Sequence, residues 1–241
     1  PEAYIPQSDT YIEKDAKINA ELDRLRHAAV QDLAARDDVI IVASVSCIYN
    51  IGSPEFYQKV SFEIKERQKI RLKEFLEGLI SLQYIRNDVG FEPGVFRVRG
   101  GVVEIFSITG QEIIRVEFSN NEILSINVKK TRASVFSTDK AEKTDVLKLY
   151  PAQFWVSPQD KLKLAIKNIE LELEDRVQEL KSEQRLLEAQ RLEQRTTYDL
   201  EMIRETGWCH GIENYSRHLE FREPGEPPFS LLDYFPKGFL T

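Results

Sequence analysis

The chain has 241 residues, enough for two domains or three small ones. It is 41% hydrophobic and 30% charged, the composition of a folded globular protein, and its net charge of -7 argues against a general nucleic-acid coat while leaving room for a local basic groove. Two cysteines, Cys47 and Cys209, give neither a paired metal spacing nor a disulfide framework, and no apolar run reaches the ~18 residues of a membrane span. A reducing, cytoplasmic compartment fits that usage, with Cys47 expected as a buried thiol inside an apolar run.

Taken in chain order, residues 1–19, PEAYIPQSDTYIEKDAKIN, read as an edge or protruding ribbon, because Pro6 is incompatible with a central strand. Residues 20–36 carry Leu22, Leu25, Ala29 and Leu33 at near-helical spacing, with Asn19 as an expected cap. The β-branched run Val39 to Val42 predicts a strand buried on both faces, as in a parallel sheet, and Gly52-Ser53-Pro54 ends that block. From about 60 to 150 the pattern changes. A short strand opens SFEIK, and a helix follows with Leu72, Phe75, Leu76, Leu79 and Ile80 on one side. Strand-sized pieces then occupy 94–99, 102–107, 112–118 and 122–128, which predicts a small antiparallel sheet with one helix against it. Pro151 to Pro158 is a joint. Residues 159–206 form two helices in a hairpin: Leu162, Ile166, Ile169, Leu173, Val177 and Leu180 mark one stripe, and Leu187, Leu192 and Leu200 another, with no unbroken heptad. Most charges there face solvent, and REPGEPPFS, 222–230, is a Pro/Gly-rich connector.

FRVRGGVVEIF, 96–106, holds two arginines on one face of a predicted hairpin. A two-residue turn at Gly100-Gly101 pairs Arg99 with Val102 and sets Arg97 opposite Glu104. The next strand then puts Ile114, Val116 and Phe118 toward the core, and Ile113, Arg115 and Glu117 beside the arginines. That face is mixed in charge. It suits an opposed protein surface better than phosphate, and a hydrated face with ordinary cross-strand pairs is the other reading. Tyr4 and Tyr11 can stack on nucleobases without regard to sequence, or can close a small apolar cluster. His27, Cys209, His210 and His218 lack a zinc spacing and are expected in caps or local hydrogen-bond networks; Ser216 has no evident relay.

The ordered blocks PEAYIPQSDTYIEKDAKIN, RLRHAA, DVIIVASVSCIY, GSPE, FRVRGGVVEIF, LLEAQRLEQRTTYDLEMI and GIENYSRHL resemble the UvrB family, the helicase-like damage-recognition subunit of bacterial excision repair, along essentially the whole chain. The resemblance implies an α/β fold: a partial helicase-like P-loop NTPase core with an inserted α+β protein-interaction domain and a helical subdomain. It divides the chain into a partial DNA-contacting hairpin (1–19), partial core (20–59), inserted UvrA-interaction domain (60–150), helical subdomain (151–224) and return to the core (225–241). It places Arg86, Arg97, Arg99, Arg115 and Glu117 on the surface that docks UvrA. It places Glu2, Tyr4, Tyr11, Lys14 and Arg26 along the DNA path, and Glu213, Asn214, Tyr215 and Arg217 at a junction near it. The family receives damaged DNA from UvrA, threads one strand behind a hairpin and recruits the nuclease UvrC; that last contact is not carried over to these residues. The chain opens without Met and contains no G-x-x-x-x-G-K-[ST] loop, so it is expected to be a piece of a longer protein, its hairpin short of a first strand. No catalytic residue and no cofactor are expected within it, ATP and magnesium belonging to the longer parent. A UvrA-docking region of a transcription-repair coupling factor is the alternative.

Overall fold

In a computed structural model the described residues are 20–131, 141–155, 159–236 and 238–239, with the backbone alone for 3–5, 10–12 and 159–160. In chain order the elements are β1 (Ala3–Ile5), β2 (Thr10–Ile12), α1 (Ala20–Ala35), α2 (Pro54–Val60), β3 (Phe62–Lys65), α3 (Leu72–Ser81), β4 (Ile85–Arg86), β5 (Val95–Arg99), β6 (Val102–Phe106), β7 (Glu112–Ser119), β8 (Glu122–Lys130), β9 (Glu142–Thr144), β10 (Val146–Leu149), α4 (Gln159–Ser182), α5 (Leu186–Thr206) and α6 (Ser216–Glu220). They fall into two compact units: Glu21–Val156 with Phe229–Thr241, and Pro1–Ala20 with Ser157–Pro228.

The first unit is built on a six-stranded sheet in the order β4-β5-β6-β7-β8-β9. All its neighbours are antiparallel except β4 and β5, which run parallel, so the expected purely antiparallel sheet gains a short parallel edge. Helix α3 covers one face. Arg71 N–H donates to the Glu74 carboxylate at 3.2 Å and so satisfies one orphan donor at the start of the helix. Phe75 and Leu79 are fully buried against Phe96, Val103, Ile105 and Val116, while Leu72 and Leu76 pack at the margin. Ile80, expected on that stripe, is 57% exposed, because the sheet covers an arc of the helix too narrow to reach it. β3 pairs with β10 in a separate two-stranded ribbon that contributes Ile64 and Leu149 to the same core.

The β5–β6 turn has the predicted register. Gly100 takes φ +61° and Gly101 does not leave the ordinary region, the pattern of a type II′ turn. Gly101 is needed for closeness: a Cβ there would lie 2.7 Å from the Phe118 carbonyl oxygen, which itself belongs to a strand. Gly101→Val is therefore expected to cost about 1–3 kcal/mol in urea denaturation. A cost near zero would show that the turn yields without strain.

A second core lies beneath α1, α2 and residues 231–234, with Val30, Leu33, Ile51, Tyr57, Phe154, Leu231 and Tyr234 at its centre. Four sequence expectations fail here. Leu22 and Leu25 are 44% and 49% exposed, and α1 instead buries His27, Ala28, Val30 and Leu33. Residues 39–43 form no strand and pair with none among the described residues. Val39 and Ile41 pack on the core while Ile40 and Val42 are 92% and 97% exposed. A run apolar on both faces needs cover on both, and the described residues cover one. Cys47 sits half-buried in a short 3-10 turn, Val45–Ile48, with its thiol 3.2 Å from the Ser44 hydroxyl, not in the interior. Ser53 and Pro54, read as the end of a block, instead begin α2, with Ser53 capping the Phe56 N–H.

The second unit contains the helical hairpin. Helices α4 and α5 join through a three-residue turn and share a narrow core of Val177, Leu180 and Ala189, with Leu173 and Leu192 beside it. Leu187, expected on the stripe, is 51% exposed near that turn. α5 ends at Gly207, whose φ of +78° gives the left-handed cap. β1 and β2 form an antiparallel ribbon with Ala3 opposite Ile12 and Tyr4 opposite Tyr11, in the segment read from the sequence as a ribbon.

Candidate functional site: the arginine face of the sheet

The sheet face away from α3 carries two cross-strand rows. In one, register aligns Arg97, Glu104, Arg115 and Asn127; in the other, Arg99, Val102, Glu117 and Ser125. Alternation along each strand sends Phe96, Val103, Ile114 and Val116 to the core, which leaves these rows outside.

Their pairings differ. Arg97 Nε donates to Glu104 at 2.6 Å, and its guanidinium lies 4.1 Å from the centroid of the Phe91 ring, so both faces of its chemistry are engaged. Phe91 in turn packs on Phe106, which gives the face an apolar end beside the charged one. Arg115 Nε donates to Glu117 at 3.2 Å, and Glu117 accepts from the Ser125 hydroxyl at 3.1 Å. Arg99 is exposed and makes no hydrogen bond or ion pair with any described residue. Arg86 lies opposite Phe96 in the β4–β5 pairing, out of line with the two rows, and donates to Asp88 at 3.1 and 3.2 Å. The Val98 N–H, and then Arg86, hold the Asp88 carboxyl below its ordinary range. Of the five expected docking residues, four thus share a face and Arg86 stands at its edge. Three of the four arginines have partners, and Arg99 alone presents an unshared guanidinium fork. Phe91 and Phe106 were missed by sequence reasoning, although Phe106 has the same strand parity as Val102 and Glu104.

The expected DNA-path residues are more scattered. Tyr4 and Tyr11 are opposed in the β1–β2 register, whereas Glu2 and Lys14 lie outside the described residues. Arg26 is turned into its own unit: it donates to the carbonyls of Cys47 at 3.2 Å, Asn50 at 3.1 Å and Tyr49, and lies 5.0 Å over the Phe154 ring. It ties the 47–50 turn to α1.

In the second unit, Tyr215 donates its hydroxyl to buried Asp199 at 2.6 Å, and burial, reinforced by that carboxylate, raises the phenol's pKa. Glu172 on α4 accepts from Arg217 and meets His218, joining α4 to α6. Ser216 accepts from Arg222 at 3.0 Å. The Cys209 thiol is buried and pushed up to about 12 by desolvation, which makes it inert. No group of three or more metal-ligating side chains occurs among the described residues. GIENYSRHL therefore builds a local hydrogen-bond network.

Comparison with known proteins matches residues 62–155, which contain the arginine face, to the UvrB interaction domain, and residues 160–221, the helical hairpin and α6, to the UvrB third helical domain. The UvrABC system protein B of Methanothermobacter thermautotrophicus is 54% identical over all 241 residues, those of Geobacillus kaustophilus and Bacillus caldotenax 53%. The chain spans 36–37% of the length of these relatives. Two adjacent UvrB domains and identity above one half along the full 241 residues carry one conclusion: the chain belongs to the UvrB family.

Proposed function

We propose that this chain docks UvrA through the arginine face of its six-stranded sheet and contributes to DNA damage recognition, strand threading and verification before incision by UvrC. The observation that carries the docking reading is the mixed face itself, on which Arg99 is unshared while Arg97 and Arg115 are held in place by Glu104 and Glu117. Pairs fixed within one surface pre-pay the ordering of long side chains, and a free guanidinium fork supplies the bidentate contact to a carboxylate. The β1–β2 ribbon, with Tyr4 opposite Tyr11, supports a strand-contacting role, since aromatic stacking is tolerant of base identity. No G-x-x-x-x-G-K-[ST] sequence occurs in the chain, and no nucleotide step is assigned to its residues. Its place of action on this reading is the cytoplasm, where repair acts on the chromosome.

Calorimetric titration of purified UvrA with the chain, and with its Arg97→Glu, Arg99→Glu double variant, tests the docking. The expected result is micromolar or tighter binding by the parent chain and at least a tenfold loss in the variant, with circular dichroism showing both folded. A folded parent that does not bind would remove the docking reading. A folded variant that binds equally well would return the two arginines to an ordinary hydrated surface.

A further inference from the structure

Arg97 is held in two ways at once. Its Nε donates across the β5–β6 pair to Glu104 at 2.6 Å, and its guanidinium lies 4.1 Å from the centroid of the Phe91 ring. One hydrogen bond leaves a planar group free to turn about it, and a ring against the plane stops that turning. These contacts engage the Nε edge and one face. The end-on pair, Nη1 and Nη2, makes no hydrogen bond with any described residue, and exposed Glu92, next to Phe91 in the chain, makes no ion pair with Arg97. Neither Arg99 nor Arg115 lies over an aromatic ring among the described residues.

Phe91 is itself placed by the sheet. Its ring packs on Phe106 of β6, with centroids 5.4 Å apart. On one side of it in the chain, Asn87 Oδ1 accepts from the N–H groups of Val89 at 3.0 Å and Gly90 at 2.9 Å, the local turn that short amides favour. On the other side, Val95 N–H donates to the Glu92 carbonyl at 3.1 Å and Gly94 N–H to the Phe106 carbonyl at 3.0 Å. Yet Phe91 is half-buried and belongs to neither of the two cores of its unit. Its main chain is fixed at both ends, although its ring fills no interior.

We infer that Phe91 is a positioning residue for docking: its ring holds the Arg97 guanidinium so that the Nη1–Nη2 edge meets one carboxylate of the partner. The inference rests on the docking reading above and adds to it what prepares the arginine. A long side chain ordered before association has less entropy to lose on binding. A planar guanidinium can stack on a ring, bond through Nε and still keep its end-on pair for a bidentate contact, which an ammonium cannot do.

The test is calorimetric titration of purified UvrA with the chain, with its Phe91→Leu, Phe91→Tyr and Arg97→Ala variants, and with Phe91→Leu and Arg97→Ala combined, each shown folded by circular dichroism. Phe91→Leu is expected to weaken binding about fivefold, and Phe91→Tyr, which keeps the ring, by less than about twofold. On the Arg97→Ala background, Phe91→Leu should change binding by less than about twofold, because nothing is left to position. An equal loss with and without Arg97 would show that Phe91 acts on its own, and the inference would be wrong. Full affinity in Phe91→Leu would also overturn it. Exchange of the Arg97 Nε–H with solvent, followed by NMR without UvrA, separates this inference from the docking reading. It should quicken several-fold in Phe91→Leu and stay slow in Phe91→Tyr. If the folded parent does not bind UvrA, docking by this face falls. Unchanged exchange in Phe91→Leu removes the hold of Phe91 on Arg97 whether or not UvrA binds.

Discussion

Lowering the pH from 7 to 4 is expected to remove about 3 kcal/mol of folding stability through one side chain, His27. The ring is fully buried on α1, stacked on Phe154 with centroids 3.8 Å apart and planes 5° from parallel, and neither ring nitrogen has a hydrogen-bond partner. The Asp23 carboxylate lies 3.9 Å from Nε2, too far for a hydrogen bond. Loss of hydration, reinforced by the nearby Arg26 charge, outweighs that carboxylate and lowers the ring's pKa to about 3. The sign follows directly. Between pH 6.5 and about 3 the unfolded chain binds a proton that the folded chain excludes, so stability falls by about 1.4 kcal/mol per pH unit as pH drops. Above 6.5 the ring is neutral in both states and contributes no pH dependence.

Asp23 works the opposite way, since burial raises its carboxyl. It is shared by the control variant His27→Phe, which keeps a ring on Phe154 and removes the proton site. Urea denaturation at pH 7, 5.5 and 4 should show the parent losing about 3 kcal/mol more than the variant. Parallel losses would mean that the folded interior takes up the proton, and would remove His27 as the cause.

Phe75→Ala is expected to cost about 3–5 kcal/mol, the range for emptying a buried aromatic site. Phe75 is fully buried between α3 and the sheet, its ring centroid 5.1 Å from that of Phe118 and 6.0 Å from that of Phe62. Phe118 lies next to the irregularity in the β7–β8 pairing, and its carbonyl oxygen faces Gly101. The cavity would therefore open beneath the β5–β6 turn that aligns Arg97 and Arg99. A small domain holds only ~5–15 kcal/mol in total, so the docking proposed above should weaken with the folded fraction, not with any lost contact. Urea denaturation followed by near-ultraviolet circular dichroism measures the cost. A value below about 1 kcal/mol would mean that α3 is held chiefly by other residues.

The legible parts of the fold were those set by neighbours in sequence. A Gly-Gly pair between alternating runs sets the Arg97–Glu104 register from local sequence alone, because a two-residue turn leaves one alignment. The helical hairpin was legible because the apolar stripe breaks near residue 184, where the chain takes a φ of +64°. For the site, four of five docking candidates came out on one face for the same reason of strand parity. Arg86 did not, because its place depends on a parallel pairing that no local pattern announces.

Family membership, the strand alternation and the positions of the turns were determined by the sequence itself, since each rests on residues a few places apart. Only the tertiary structure decided which apolar groups meet water. Leu22, Leu25 and Ile80 have the spacing of core residues and are exposed, while His27 is buried without a polar partner. It also decided that Arg97 is held by Glu104 and Phe91 and that Arg99 is not. The physical reason is one of range. Backbone turns and strand alternation are short-range properties, whereas burial and ion pairing belong to atoms brought together from distant parts of the chain.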